Sequence, residues 1–222
     1  MHTRILLSTT YFGPIRYFSK FLMPGEVVLE KHENYTKQTY RNRCRIFGPN
    51  GMVTLTVPVK RGSFHKTALR DLEIDHTKPW QAIHWKTIQA SYRASPFYEY
   101  YADVLRPFFS RNTRFLWDHN MEILDAVLEL LNIEKKYRIT SQYIDDPDPH
   151  DDLDFRTSIH PKRHEKDPWY RDAAYHQVFE DRHGFIPGLS ILDLIFNTGP
   201  DARHILHRSL EKPGNTSLDP AG

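Results

Sequence analysis

Two short apolar runs constrain the fold more than any other feature. Ile5-Leu6-Leu7 and Val27-Val28-Leu29 each read as a strand, the first buried on both faces. The segment between them reads as a helix. Pro14 opens it, Ile15, Tyr17, Phe18, Phe21 and Leu22 give it an apolar side, and Gly25 stops it. A strand–helix–strand opening implies a parallel pair, because parallel strands need a long crossover between them. The expected class is therefore α/β, with α+β as the alternative.

A hairpin is expected next. Residues 43–47 and 52–59 flank Gly48-Pro49-Asn50-Gly51, and Asn50-Gly51 is a dipeptide that tolerates positive φ. In the second arm Val53, Leu55, Val57 and Val59 alternate with polar or proline positions, so one face is buried and Lys60 points outward. Residues 72–75 suggest a further short strand. Residues 79–131 turn helical. Trp80, Ile83, Thr87 and Ile88 share one side of a first helix, and Pro96 precedes a second over 97–109. Leu116, Asn120, Ile123, Leu124, Val127 and Leu128 mark the clearest helix. Residues 137–143 return to the sheet.

The run 145–154 reads DDPDPHDDLD, a surface loop or linker. Residues 190–196 form a compact apolar helix. Ser190 and Asp193 fit a capping box there, and Gly199-Pro200 ends it. The whole is expected to be a mixed sheet with a strand–helix–strand unit and a hairpin, followed by a mainly helical half. Residues 1–210 would be one domain and 211–222 a mobile tail.

Composition narrows the function classes. With one cysteine, the chain builds neither a disulfide framework nor a cysteine zinc site. Cys44 lies between Arg43 and Arg45, where it is either an activated thiol or a small residue on the inner face of the sheet. The run Ile5–Leu7 is too short for a signal-peptide core, and no apolar stretch is long enough to cross a bilayer. The expected location is cytoplasmic.

Charge points to a ligand class. From Asn34 to Arg70 there is no acidic residue, while Lys37, Arg41, Arg43, Arg45, Lys60, Arg61, Lys66 and Arg70 are all basic. Clustered Arg and Lys favour phosphate or carboxylate. Tyr35 and Tyr40 are interleaved and suit stacking on a base or sugar. The alternative is a solvated basic face paired with the acidic run. Nucleic acid is disfavoured, because the net charge is only +2 and no nucleic-acid-binding motif appears.

On the first helix, Lys86, Gln89 and Arg93 form a polar row beside His84, a candidate acid or base near neutral pH. His84 as a structural residue is the other reading. His160 in His160-Pro161-Lys162-Arg163-His164 is a further candidate proton carrier. The histidine and aspartate spacings match no zinc motif, and no GxGxxG, Walker A, GxSxG or kinase signature names a cofactor or nucleotide.

These blocks together carry a resemblance. Tyr11-Phe12-Gly13-Pro14, Tyr35-Thr36-Lys37, Arg41-Asn42-Arg43-Cys44-Arg45-Ile46, Gly48-Pro49-Asn50-Gly51, His84-Trp85-Lys86-Thr87-Ile88-Gln89 and Leu189-Ser190-Ile191-Leu192-Asp193-Leu194 recur in this order in WbqC-like proteins. The chain resembles that family over about residues 4–207. The family's opening often reads Gln-Pro-x-Phe-Phe-Pro, whereas this chain has Ser8-Thr9-Thr10-Tyr11-Phe12-Gly13-Pro14. The resemblance implies a bacterial protein and suggests acyl or aminoacyl transfer in surface-polysaccharide (O-antigen) synthesis.

Two functions follow. One is a transferase acting on an anionic activated substrate, a nucleotide sugar or an acyl carrier. In it His84, Lys86 and His160 are catalytic, and Tyr11, Tyr35, Arg41, Asn42, Arg43, Lys60, Gln89 and Arg93 bind substrate. The other is a non-catalytic binding or assembly protein recognising a phosphorylated ligand or a protein partner.

Overall fold

The computed structural model describes residues 4–60, 67–163 and 165–211. The expectations for Arg61, Lys66, His164 and the tail beyond 211 lie outside these residues.

Strand β1 (Arg4–Ser8) leads through a buried turn into helix α1 (Ile15–Ser19), a 3-10 turn and strand β2 (Glu26–Glu30). β1 and β2 pair in parallel, with Ile5 opposite Val27 and Leu7 opposite Leu29. The strand–helix–strand reading is therefore the observed one. In the turn Phe12 takes φ 41°, a conformation that non-glycine residues seldom adopt. It is held there by the Ser190 hydroxyl, which donates to its carbonyl at 2.6 Å, and by stacking on Phe109.

Strands β3 (Arg43–Gly48) and β4 (Gly51–Thr56) form the hairpin, a two-stranded antiparallel sheet of its own. Gly48 pairs with Gly51, so the turn residues are Pro49 and Asn50. Only Gly51 takes positive φ, at 107°. Pro49 fixes a negative φ at the first turn position, which excludes the turn expected for Asn-Gly. Cys44 is fully buried in β3, and burial raises its thiol pKa, so it is a packing residue. Residues 72–75 make isolated bridges to Val59 and Phe115 and no extended strand.

Helices α2 (Trp80–Tyr92), α3 (Tyr98–Leu105) and α4 (Leu116–Leu130) follow. On α2 the buried side is Trp80, His84, Ile88, Ser91 and Tyr92, while Ile83 is 56% exposed. His84 turns inward because it meets the Tyr11 hydroxyl behind the hairpin. Strand β5 (Tyr137–Ile139) then pairs with β2.

Part of the acidic run is not a loop. Strand β6 (Asp152–Asp154) pairs in parallel with β1, Arg4 opposite Asp152. Arg4 grips the Asp152 carboxylate with two hydrogen bonds of 2.6 and 2.7 Å, which offsets the charge that made the run look solvated.

Helices α5 (Glu180–His183), α6 (Ile191–Thr198) and α7 (Ala202–Arg208) complete the chain. All of α6 is buried. Ser190 caps it by accepting from the Leu192 amide, but Asp193 turns away to accept from Tyr175 and Gln177, so there is no capping box. Gly199 ends it at φ 53°, and a Cβ there would fall 2.5 Å from the Phe97 ring. Among the described residues no helix is long and apolar enough to cross a membrane.

The four-stranded sheet runs β5-β2-β1-β6, all parallel. From β1 the chain moves to one side for β2 and later returns to the other side for β6. The carboxyl ends of β1 and β6 are therefore a topological switch point, the place where open α/β sheets leave a crevice.

Candidate functional site

A buried ionic network fills the carboxyl ends of the strands. Glu33, just past β2, accepts from Arg41 Nε at 2.9 Å and from Nη2 at 2.5 Å. The same Nη2 reaches Ser8 Oγ at 2.6 Å and the Arg156 carbonyl at 3.2 Å. Arg156 in turn pairs with Asp154 at 2.8 Å and Glu30 at 3.3 Å. Glu30 also accepts from the His32 amide, Thr140 and the Ile144 amide. These partners occupy both guanidiniums, so the network joins β1, β2, β6 and the chain before the hairpin. Between the ends of β1 and β6 remains a gap of about 10 Å³, lined by Ser8, Thr10, Tyr40, Arg41 and Arg156 among others.

Tyr40 also lines a much larger cleft of about 490 Å³. Arg16 comes to it from α1, Arg45 from β3, and His160, Arg163, Tyr170 and Arg171 from the chain after β6. Two of its arginines are neutralised, Arg163 loosely by Glu165 at 3.8 Å and Arg171 by Glu211 at 3.0 Å. Asp167 is taken by Lys20 at 2.6 Å. Arg16 and Arg45 differ. Arg16 donates to the carbonyls of Ser158 and Glu165, at 3.2 and 3.5 Å, and Arg45 to that of Pro161 at 2.5 Å. Neither makes an ion pair with a carboxylate among the described residues. Both act on the Tyr40 phenol: burial raises its pKa, and Arg45 and then Arg16 pull it back. The cleft thus holds two guanidiniums with only carbonyl partners beside a phenol, and a further carboxylate, Asp172, which accepts from the Tyr170 hydroxyl and the Gly188 amide and raises the Tyr40 pKa.

His160 is half-buried at this cleft. Its Nδ1 accepts from the Lys162 amide at 3.0 Å, which leaves Nε2 as the protonated nitrogen of the neutral ring. Burial lowers its pKa, and Arg163, Arg41 and Lys162 lower it further. The imidazole therefore stays neutral near pH 7 and presents an N–H.

The other expected residues lie elsewhere. His84 Nδ1 is 2.9 Å from the Tyr11 hydroxyl, both buried, and Tyr11 stacks on His119 with ring centroids 5.9 Å apart. Trp80 packs on both imidazoles. Burial lowers His84 and His119 to about 4, against a small opposing effect of the Thr56 backbone on His84. Neither lines the cleft. Lys86 and Arg93 are exposed on α2, and Gln89 is half-buried beside Tyr98. Asn42 donates to the Val57 carbonyl at 2.9 Å. Tyr35 is buried close to Arg43 and Arg41. Lys60 is paired with Glu73 at the surface.

Of the residues expected in catalysis or binding, then, His160 lines the cleft and Arg41 the gap beside it, while Tyr40, expected to stack on a ligand, lines both. Arg16, Tyr170 and Arg171 were not singled out in the sequence, and Arg45 only as part of the basic block. A shallow depression of about 540 Å³ beyond α4 is larger; there Lys135 pairs with Glu129, and a single guanidinium, Arg203, donates to the Asn132 carbonyl at 2.8 Å.

The model of the WbqC-like protein family matches residues 9–166, a span that includes Arg16, Tyr40, Arg45 and His160 and stops before Tyr170. A protein of Mycobacterium tuberculosis (strain ATCC 25618 / H37Rv), described as uncharacterized, is 28% identical over 223 residues, covering 89% of this chain and 94% of its own length. No solved structure matches.

Proposed function

The chain belongs to the WbqC-like protein family, and on that premise we propose that it is a transferase whose cleft holds an anionic activated substrate, such as a nucleotide sugar or an acyl carrier. The observation that carries this reading is the pair of guanidiniums, Arg16 and Arg45, that face the cleft with carbonyl partners only. Guanidinium binds phosphate and carboxylate through parallel N–H donors, and partial burial strengthens the attraction. Tyr40 and Tyr170 add rings and hydroxyls suited to a sugar or base. In the transfer, an acceptor hydroxyl bonds to the activated group, and the bond to the leaving group breaks. The leaving group keeps the electron pair and rests against Arg16 and Arg45, where His160 Nε2–H donates a hydrogen bond to it, while the acceptor hydroxyl gives its proton to solvent. The surface-polysaccharide role implied by the family resemblance fits this substrate class.

One observation favours a second reading, a non-catalytic anion-binding protein. His160 Nδ1 is already committed to the Lys162 amide, so the ring offers a donor and no base.

The experiment is a thermal-shift screen against nucleotides, nucleotide sugars, acyl-coenzyme A compounds and simple phosphates at two salt concentrations. A ligand that binds only the folded state raises the melting temperature with concentration. The expected result is a shift with one class, lost in Arg16→Gln and Arg45→Gln. With that class in hand, His160→Phe should lower turnover while binding persists. Undiminished turnover would remove His160 from the chemistry, and a panel with no shift would contradict the anion reading.

A further inference from the structure

Beside the cleft lies a second chamber of about 270 Å³. The two share a wall, since Arg16, Glu165 and Asp167 line both. Their chemistry differs. The second chamber is formed by Leu153 and Phe155 from β6 and the chain just after it, with Pro168 and Trp169. Its carboxylates are mostly engaged already: Asp152 by Arg4, Asp154 by Arg156 and Asp167 by Lys20. Lys20 is itself fully buried, with Nζ 4.4 Å from the centre of the Phe155 ring, so the wall residues are fixed in place from behind. What the chamber offers a ligand is therefore apolar surface flanked by the Arg16 guanidinium and the exposed Lys166.

We infer that the ligand is amphipathic. Its anionic head sits on Arg16 and Arg45 in the cleft, and an apolar body passes Arg16 into the chamber formed by Leu153, Phe155 and Trp169. This rests on the anion-binding reading above and specifies what the anion is attached to. Arg16 is the pivot, because it is the one cationic side chain common to both spaces.

The test uses inorganic phosphate and a series of monoalkyl phosphates, from ethyl to hexyl, titrated calorimetrically into the full chain. Burial of each methylene is expected to tighten binding about fourfold, the equivalent of about 0.8 kcal/mol, until the chamber is full. Leu153 lines the chamber and not the cleft. Leu153→Ala should therefore reduce the gain per methylene while leaving inorganic phosphate binding unchanged. Trp169→Ser should weaken hexyl phosphate more than ethyl phosphate. If phosphate binds and the series is flat in the unaltered protein, the inference fails and the anion reading stands. If no member of the series binds, the anion reading fails and takes this inference with it.

Discussion

Arg45 donates from Nη2 to the carbonyl of Pro161, 2.5 Å away, and so ties the hairpin to the turn that carries His160. The two residues are 116 positions apart, and their contact makes one wall of the cleft. Cutting it should be visible at the imidazole. Burial is the largest cause holding His160 below its ordinary value of 6.5. Arg45→Ala loosens residues 160–162 and admits water, so the His160 titration followed by NMR should move up toward 6.5. An unmoved titration would mean that the contact does not position the ring.

Arg41 and Glu33 should behave as a buried pair. Each side chain is 8% exposed, and together they bridge β1 and the hairpin. Removing one partner leaves the other charged and unmatched in a low dielectric, which typically costs about 3–5 kcal/mol. Arg41→Met should lower stability by that order in chemical denaturation. The double variant Arg41→Met with Glu33→Gln should cost less than the sum of the singles. Strict additivity would contradict the pairing.

Acid should destabilise the fold through His84 and His119. Both are neutral when folded, with values lowered by burial from 6.5 to about 4. The unfolded chain therefore binds more protons between these values, so stability is complete above pH 6.5 and falls as pH drops toward 4. The loss is on the order of 3 kcal/mol per histidine. A denaturation series from pH 7.5 to 4 should show it, and His119→Phe should reduce the slope. The same slope in that variant would count against the assignment.

Much of the fold was legible because its signals are local. The apolar triplets of β1 and β2, the alternation in β4 and the apolar stripe of α4 each show within a few residues. The elements that were missed depend on distant partners. Asp152–Asp154 reads as solvated in its own surroundings, and it becomes strand β6 only because Arg4 and Arg156 meet its carboxylates. The turn differs for a local reason that outranked the Asn-Gly signal, the fixed φ of Pro49.

The site was less legible, for a similar reason. The acid-free block begins at Asn34, one residue after Glu33, so the block alone does not show that Arg41 already has its partner. Spacing did carry a signal for His84: Trp80, His84 and Ile88 recur every four residues and form the buried side of α2. Arg16 and Arg45 were ordinary basic residues in sequence. Their role comes from what α1, β3 and the chain after β6 bring to one cleft, and no local pattern records that.

Titration calorimetry with pyrophosphate tests the central claim most directly. The unaltered chain would be compared with Arg16→Gln, Arg45→Gln and Lys86→Gln, the last removing the same charge from the exposed face of α2. Charge-assisted hydrogen bonds of this kind are worth about 1.5–3 kcal/mol, so the first two variants should bind roughly tenfold or more weakly, and Lys86→Gln should bind as the unaltered chain does. Equal weakening in all three would show diffuse attraction to a basic surface, and would contradict a site at Arg16 and Arg45.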